Sequence, residues 1–313
     1  MNETVKNSKY GLNRGNLKMI ALFCMALDHI AGIPMSAWLD TLSKDSALYT
    51  CDMVLITLLR FIGRLAFPIF CFFIVEGLLH TRNVFKYAAR LLLLAFISEI
   101  PYDLAHAGKL FDLSQQNVFW TLFLGLTAIY CIDGIYTKFK LKKPVRNLWI
   151  IIITVLAALV AFVLKTDYNS FGVITIIIIY LVGREEFYLP VAINALAIFA
   201  YYFVILNMPE LDFGEHAKLA SIAIGIYLVF VLTVSTIALI LSKFIKNQNT
   251  RKMFAACVIL SVLSPDEIFA FPNVFLIKDY NGERGPKIGW LFYAFYPLHF
   301  AALFGICKLF GFY

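Results

Sequence analysis

Residues 17–37 read LKMIALFCMALDHIAGIPMSA. A helix that crosses a bilayer needs about 20 predominantly apolar residues, and this run supplies them with Lys18, Asp28 and His29 embedded in it. Runs of the same kind follow near 53–79, 84–106, 117–136, 147–165, 171–183, 187–206, 217–242, 251–270 and 288–312. The sixth is short. The ninth contains Pro265, Asp266 and Glu267 and is open to an early end. Composition agrees: 61% of the residues are apolar, only 15% are charged, and mean hydropathy is +0.80. Soluble domains carry roughly 25% charged residues, so an ordinary soluble enzyme and a disordered chain are both excluded. The expected fold is all-α, a polytopic integral membrane helix bundle of about ten transmembrane helices. No linker, repeat or low-complexity tract divides it, so residues 1–313 read as one domain with a short polar segment, 1–16, at its start.

Loop charge gives the expected orientation. With the N-terminus cytoplasmic, cytoplasmic segments hold 17 of the 27 Lys and Arg residues, Lys308 among them. The outer loops then include Lys44, Lys109, Lys165, Lys278, Arg284 and Lys287. Both termini are therefore expected in the cytoplasm. No cleavable signal peptide is expected, because the first apolar run is too long and lacks a small-residue cleavage site. The six cysteines show no metal-binding spacing, so no metal is expected, and the scattered basic residues give no nucleic-acid surface.

A charge in hydrocarbon needs a partner or a wet cavity. Nine ionisable residues lie inside four spans: Asp28, His29, Arg60, Arg64, Glu76, Arg90, Glu99, Asp103 and His299. Helix-locking ion pairs account for any one of them, but the set points to a polar cavity that binds something. Arg60 and Arg64 share a helix face and need an anion between them, either Glu99 or Asp103 or a phosphate. Lys18 and His29 are eleven residues apart, about 20° off one face and about 16.5 Å along the axis. A surface cation and a deep histidine on one stripe suit a long cytosolic donor such as an acyl-coenzyme A. The plainer reading makes Lys18 an interfacial anchor and His29 a buried hydrogen-bonded residue.

The stretch Leu17–Ile30 resembles the opening of the TraX family. So do Leu59-Arg-Phe-Ile-Gly-Arg-Leu-Ala-Phe-Pro-Ile-Phe70, Glu76-Gly77, His80-Thr81-Arg82, Tyr87, Arg90-Leu91 and Ile97-Ser-Glu-Ile-Pro-Tyr-Asp103. Gln116-Asn-Val-Phe119, Thr121, Thr166-Asp-Tyr168, Tyr280-Asn-Gly-Glu-Arg-Gly285 and Phe295-Tyr-Pro-Leu-His299 continue the match in order. It is dense over the first 130 residues and thin between 185 and 275. The resemblance implies a multi-pass protein of the bacterial inner membrane. It also implies a membrane acetyltransferase of the kind that modifies the N-terminus of conjugative pilin, with acetyl-coenzyme A as acyl donor. In the wider superfamily of membrane acyltransferases a first-helix Arg is followed, ten residues later, by His. Lys18 stands in for that Arg and keeps its charge without the bidentate fork.

The implied partners are an acyl-coenzyme A, membrane lipid and an amine-bearing acceptor: a pilin N-terminus, an amino sugar or a lipid. A second copy of the chain is left open. On this reading His29 is the base or acyl-accepting nucleophile, Asp28 orients it indirectly, and Glu99 or Asp103 holds its imidazole. Lys18, Arg60, Arg64 and Arg90 contact donor phosphate or the carbonyl oxygen. Asn117, Asp167, Tyr168 and Arg284, placed toward the outer side, shape the acceptor pocket, and His299 joins them. A transporter or flippase with a polar cavity, and a noncatalytic surface-fibre assembly factor, are the alternatives.

Overall fold

A computed structural model describes residues 11–206, 217–286 and 289–312. Residues 1–10, with Lys6 and Lys9, and Lys287 lie outside them. The described chain is helical without a strand, apart from two isolated bridges. Helix α1 (Arg14–Ile30) runs on through one wide π turn (Ala31–Met35) into the short α2 (Ser36–Leu39). Then follow α3 (Ala47–Gly63), α4 (Ala66–His80), α5 (Val84–Ala107), α6 (Val118–Thr137), α7 (Lys143–Val163), α8 (Asn169–Gly183), α9 (Tyr188–Leu206), α10 (Ala217–Ser242) and α11 (Gln248–Leu263). A 3₁₀ turn (Pro265–Ala270), α12 (Asn273–Lys278) and α13 (Gly289–Leu309) complete the bundle. Polar side chains cap helix starts where the sequence offers them: Asn13, Ser46, Asn83, Asn117 and Asn247 each accept a first-turn N–H.

Among the described residues, six stretches are long and apolar enough to cross a membrane: Arg14–Leu39, Ala47–His80, Val118–Thr137, Lys143–Val163, Ile224–Ser242 and Gly289–Leu309. The others differ from the expected set for identifiable reasons. Helix α5 has the length but carries Lys86, Arg90, Glu99 and Asp103. Helix α8 has only 15 residues, yet Gly172–Val182 is buried throughout. A helix that is apolar all round belongs in the interior, and α8 packs there against α4, α6, α7 and α11.

Two corrections bear on the site. The expected span 53–79 begins earlier and breaks at Arg64 and Leu65. The expected span 251–270 stops at Leu263. Beyond it the 3₁₀ turn and α12 carry the chain back to the start of α1, where Leu12 bridges Tyr280 and the Arg14 N–H donates to the Glu283 carbonyl (2.9 Å). Irregular backbone inside a helix bundle survives when protein groups satisfy it. Here Asn273 Nδ2 donates to the carbonyl of Leu65 at the α3–α4 break (3.0 Å).

This return sends α13 in the same direction as α1. Lys18 Nζ lies 5.1 Å from the Phe292 ring centre and His29 touches His299. The starting residues Tyr87 of α5 and Tyr293 of α13 line one cavity, and His106 near the end of α5 lies beside Phe300. The ends of the described chain therefore fall on opposite faces of the bundle, against the expectation that both lie on one. Lys278 and Arg284 join the basic face and Lys308 leaves it, which sharpens the charge bias.

Candidate functional site

Helices α1, α3, α4 and α5, the loop before α8 and the 3₁₀ turn enclose a cavity of about 890 Å³. Its polar wall is an ion network built around Arg64. The side chain of Arg64 reaches Glu267 (Nη1–Oε1 3.0 Å), Asp266 (Nε–Oδ2 3.2 Å) and Asp28 (Nη2–Oδ1 3.9 Å). Arg60 Nη1 reaches the other oxygen of Asp28 (3.2 Å). Glu267 is 2% exposed, so its charge has to be met inside the protein. Gly63 makes the arrangement sterically feasible: a Cβ there would fall 2.4 Å from the Asp28 side chain.

One rim of the cavity is the segment 165–169. Lys165, Tyr168 and Asn169 all have left-handed backbone (φ 51°, 58° and 45°), a conformation that non-glycine residues adopt rarely and at a cost. Tertiary contacts hold it: Tyr168 stacks on Phe67 at 3.6 Å between ring centres, Asp167 N–H donates to Gln116 O (2.8 Å), and the Thr121 hydroxyl donates to the Asp167 carbonyl. Burial raises the Asp167 carboxyl to about 6, against the hydrogen bond it accepts from Tyr168 N–H.

His29 Nδ1 lies 2.8 Å from His299 Nε2, and His299 Nδ1 lies 3.0 Å from the Phe295 carbonyl. A carbonyl only accepts, so His299 Nδ1 carries the hydrogen. The Nε2 of the neutral ring then accepts from His29 Nδ1–H, and His29 Nε2 keeps a free lone pair. His29 lines the cavity; His299 stands behind it. The backbone thus fixes one tautomer through two rings.

A second cavity, about 600 Å³, sits at the other end of α1. Arg14, Lys18, Arg82, Lys86, Arg90 and Arg284 line it. Its carboxylate, Glu76, is engaged by Lys252 Nζ (2.9 Å). Six cations thus face one carboxylate that is already paired, and the cavity carries a surplus of positive charge.

The TraX protein family matches residues 13–232 and 202–307. This chain belongs to the TraX family. It is also 29% identical, over 92% of each chain, to the probable fimbrial assembly protein FimC, serogroup H1, of Dichelobacter nodosus. No solved structure matches it.

Several expected positions of this TraX chain move. Glu99 and Asp103 do not hold the His29 imidazole. Glu99 accepts from Asn117 Nδ2 (2.5 Å) and Trp120 Nε1 (2.7 Å), and Asp103 accepts from Asp112 N–H (2.9 Å), so both brace the α5–α6 corner. Asn117 is a buried helix cap and lines neither cavity. Arg284 belongs with Lys18 and Arg90, on the face opposite Asp167 and Tyr168. The anion between Arg60 and Arg64 is Asp28, and Arg64 also meets Asp266 and Glu267. Sequence reasoning took Asp266 and Glu267 as a helix end, and it passed over His106, which also lines the larger cavity. Its position three residues after Asp103 was the available signal.

Proposed function

We propose that this protein is an integral membrane acetyltransferase that moves an acetyl group from acetyl-coenzyme A to an amine, or a hydroxyl, of an acceptor. The fixed tautomer of His29 carries the reading: a neutral imidazole with Nε2 free in a polar cavity is a base poised to take the proton of an attacking nucleophile. The cationic cavity is the donor's phosphate site, with Lys18, Arg90 and Arg284 among its ligands, and its face is the cytoplasmic one, in a bacterial inner membrane that the chain crosses several times. Eleven residues of α1 separate Lys18 from His29, about 16.5 Å, a span that calls for an extended arm between phosphate and thioester. The two cavities share no lining residue, so the arm reaches His29 only when the packing between them opens.

The acceptor occupies the larger cavity. Asp167 supplies negative charge for an ammonium, Tyr168 and Phe67 an aromatic wall, and Arg60 a donor toward the developing oxyanion. A pilin N-terminus, an amino sugar or an amino lipid all satisfy this chemistry. The test is transfer from labelled acetyl-coenzyme A by purified protein. Wild type should transfer, and His29→Ala should lose about a hundredfold or more. Full turnover by that variant would sink the assignment.

The relative's description as a fimbrial assembly protein favours a second reading, a noncatalytic assembly factor. It is separated by the same assay: fimbrial assembly would then persist in the His29→Ala strain, with no transfer in vitro from either protein.

A further inference from the structure

The acetylation of an ammonium has a proton balance that one histidine does not close. The overall change is R–NH₃⁺ plus thioester to amide, thiol and H⁺. The nitrogen loses two protons: one before attack, to free its lone pair, and one after the C–N bond forms. The departing thiolate takes back only one. His29 has a single free nitrogen, so it serves the second proton and hands it to the thiolate as the C–S bond breaks. The first proton needs another acceptor with a route to water.

His106 has the geometry for this. It sits in the last turn of α5, its Nδ1 lies 3.0 Å from the Tyr102 carbonyl, and the same reasoning as for His299 places the hydrogen on Nδ1 and a lone pair on Nε2. That Nε2 makes no hydrogen bond among the described residues. The ring lines the cavity with His29, at 6.4 Å between centres and edge-on. It is also exposed, one turn from the loop that carries Ser114 and Gln115 at the cavity rim. The alternatives are engaged: Asp28 is tied to Arg60 and Arg64, and Asp167 accepts from the Tyr168 N–H. The charged and titratable groups that share the cavity wall with His106 include His29 and Asp28 from α1, Arg60 and Arg64 at the α3 end, Lys165 and Asp167 from the rim and Glu267 from the 3₁₀ turn, with His299 behind His29.

We propose, building on the acetyltransferase reading, that His106 is a second base. It takes the first proton from the acceptor ammonium and releases it to water at the rim, while His29 handles the proton of the tetrahedral intermediate. The substrate class that needs both histidines is a cationic amine.

The experiment compares two acceptors at pH 7 with full-length protein in detergent: n-butylamine, present as the ammonium, and hydroxylamine, already neutral. His29→Ala should lose both reactions. His106→Gln should lose about a hundredfold on butylamine and far less on hydroxylamine, a split set by the usual worth of a positioned base. The protein-dependent part of the hydroxylamine reaction, above its uncatalysed attack on the thioester, reports that the variant is folded. Added imidazole should restore butylamine turnover to His106→Ala. Equal loss on both acceptors, or loss on neither, overturns the role of His106 while leaving the acetyltransferase reading intact. No transfer by wild type to either amine overturns that reading and this one with it.

Discussion

At the scale of single residues, His29 and His299 are read apart by sequence and as one unit by structure. If His299 acts by accepting from His29 Nδ1–H, an amide that still accepts should preserve part of the activity and an apolar side chain should not. His299→Gln is expected to keep more turnover than His299→Leu, with the Leu variant down about tenfold to a hundredfold in kcat and the KM for acetyl-coenzyme A little changed. Equal activity of the two variants would remove the positioning role. Asp167 gives a pH test. With its carboxyl raised to about 6, it is mainly ionised at pH 7 and protonated below 6. The charge that attracts an ammonium acceptor is therefore lost as pH falls. KM for a cationic acceptor should climb below about pH 6 and Asp167→Asn should flatten that limb, whereas an unchanged profile would show that Asp167 does not meet the acceptor's charge.

At the scale of elements, the site depends on two interruptions. The α3–α4 break releases the carbonyl of Leu65, and the returning segment supplies Asn273 to cap it. Asn273→Ala leaves that carbonyl without its protein partner, a loss of about 1–3 kcal/mol, which a lowered Tm of the purified protein should record. Gly63→Leu drives a side chain into Asp28. It should destabilise by about 1–3 kcal/mol or more and disconnect Asp28 from Arg60, so activity falls further than Tm alone explains. A Tm equal to wild type would show that α1 and α3 do not approach as closely as described. The existence of most helices was legible, because apolar runs of bilayer length leave few alternatives. The break was not: Arg60 and Arg64 look like two turns of one helix, and the ion network at the break draws two of its anions, Asp266 and Glu267, from a distant part of the chain.

At the scale of the whole molecule, the return through Pro265–Lys278 inverts the expected direction of α13. Single cysteines placed at Gly282 and Ser114 in a background without native cysteines should label from opposite sides of sealed vesicles. A tag after residue 313 should report the side of Ser114, whereas Gly282 and Ser114 labelling from one side with the tag on the other would restore the expected topology. The composition by itself determined that the chain is dissolved in lipid, because no soluble fold hides so many apolar residues. Its order of polar words determined the family resemblance and nominated Lys18, Asp28, His29, Arg60, Arg64 and Asp167. Only the tertiary structure decided that these residues divide between two cavities, that Arg284 belongs with Lys18, and that His299 and His106 complete the histidine set around His29. The reason is physical: helical periodicity fixes which residues share a face, but the partner across that face is chosen by packing between segments distant in sequence, and a buried charge records only that such a partner must exist.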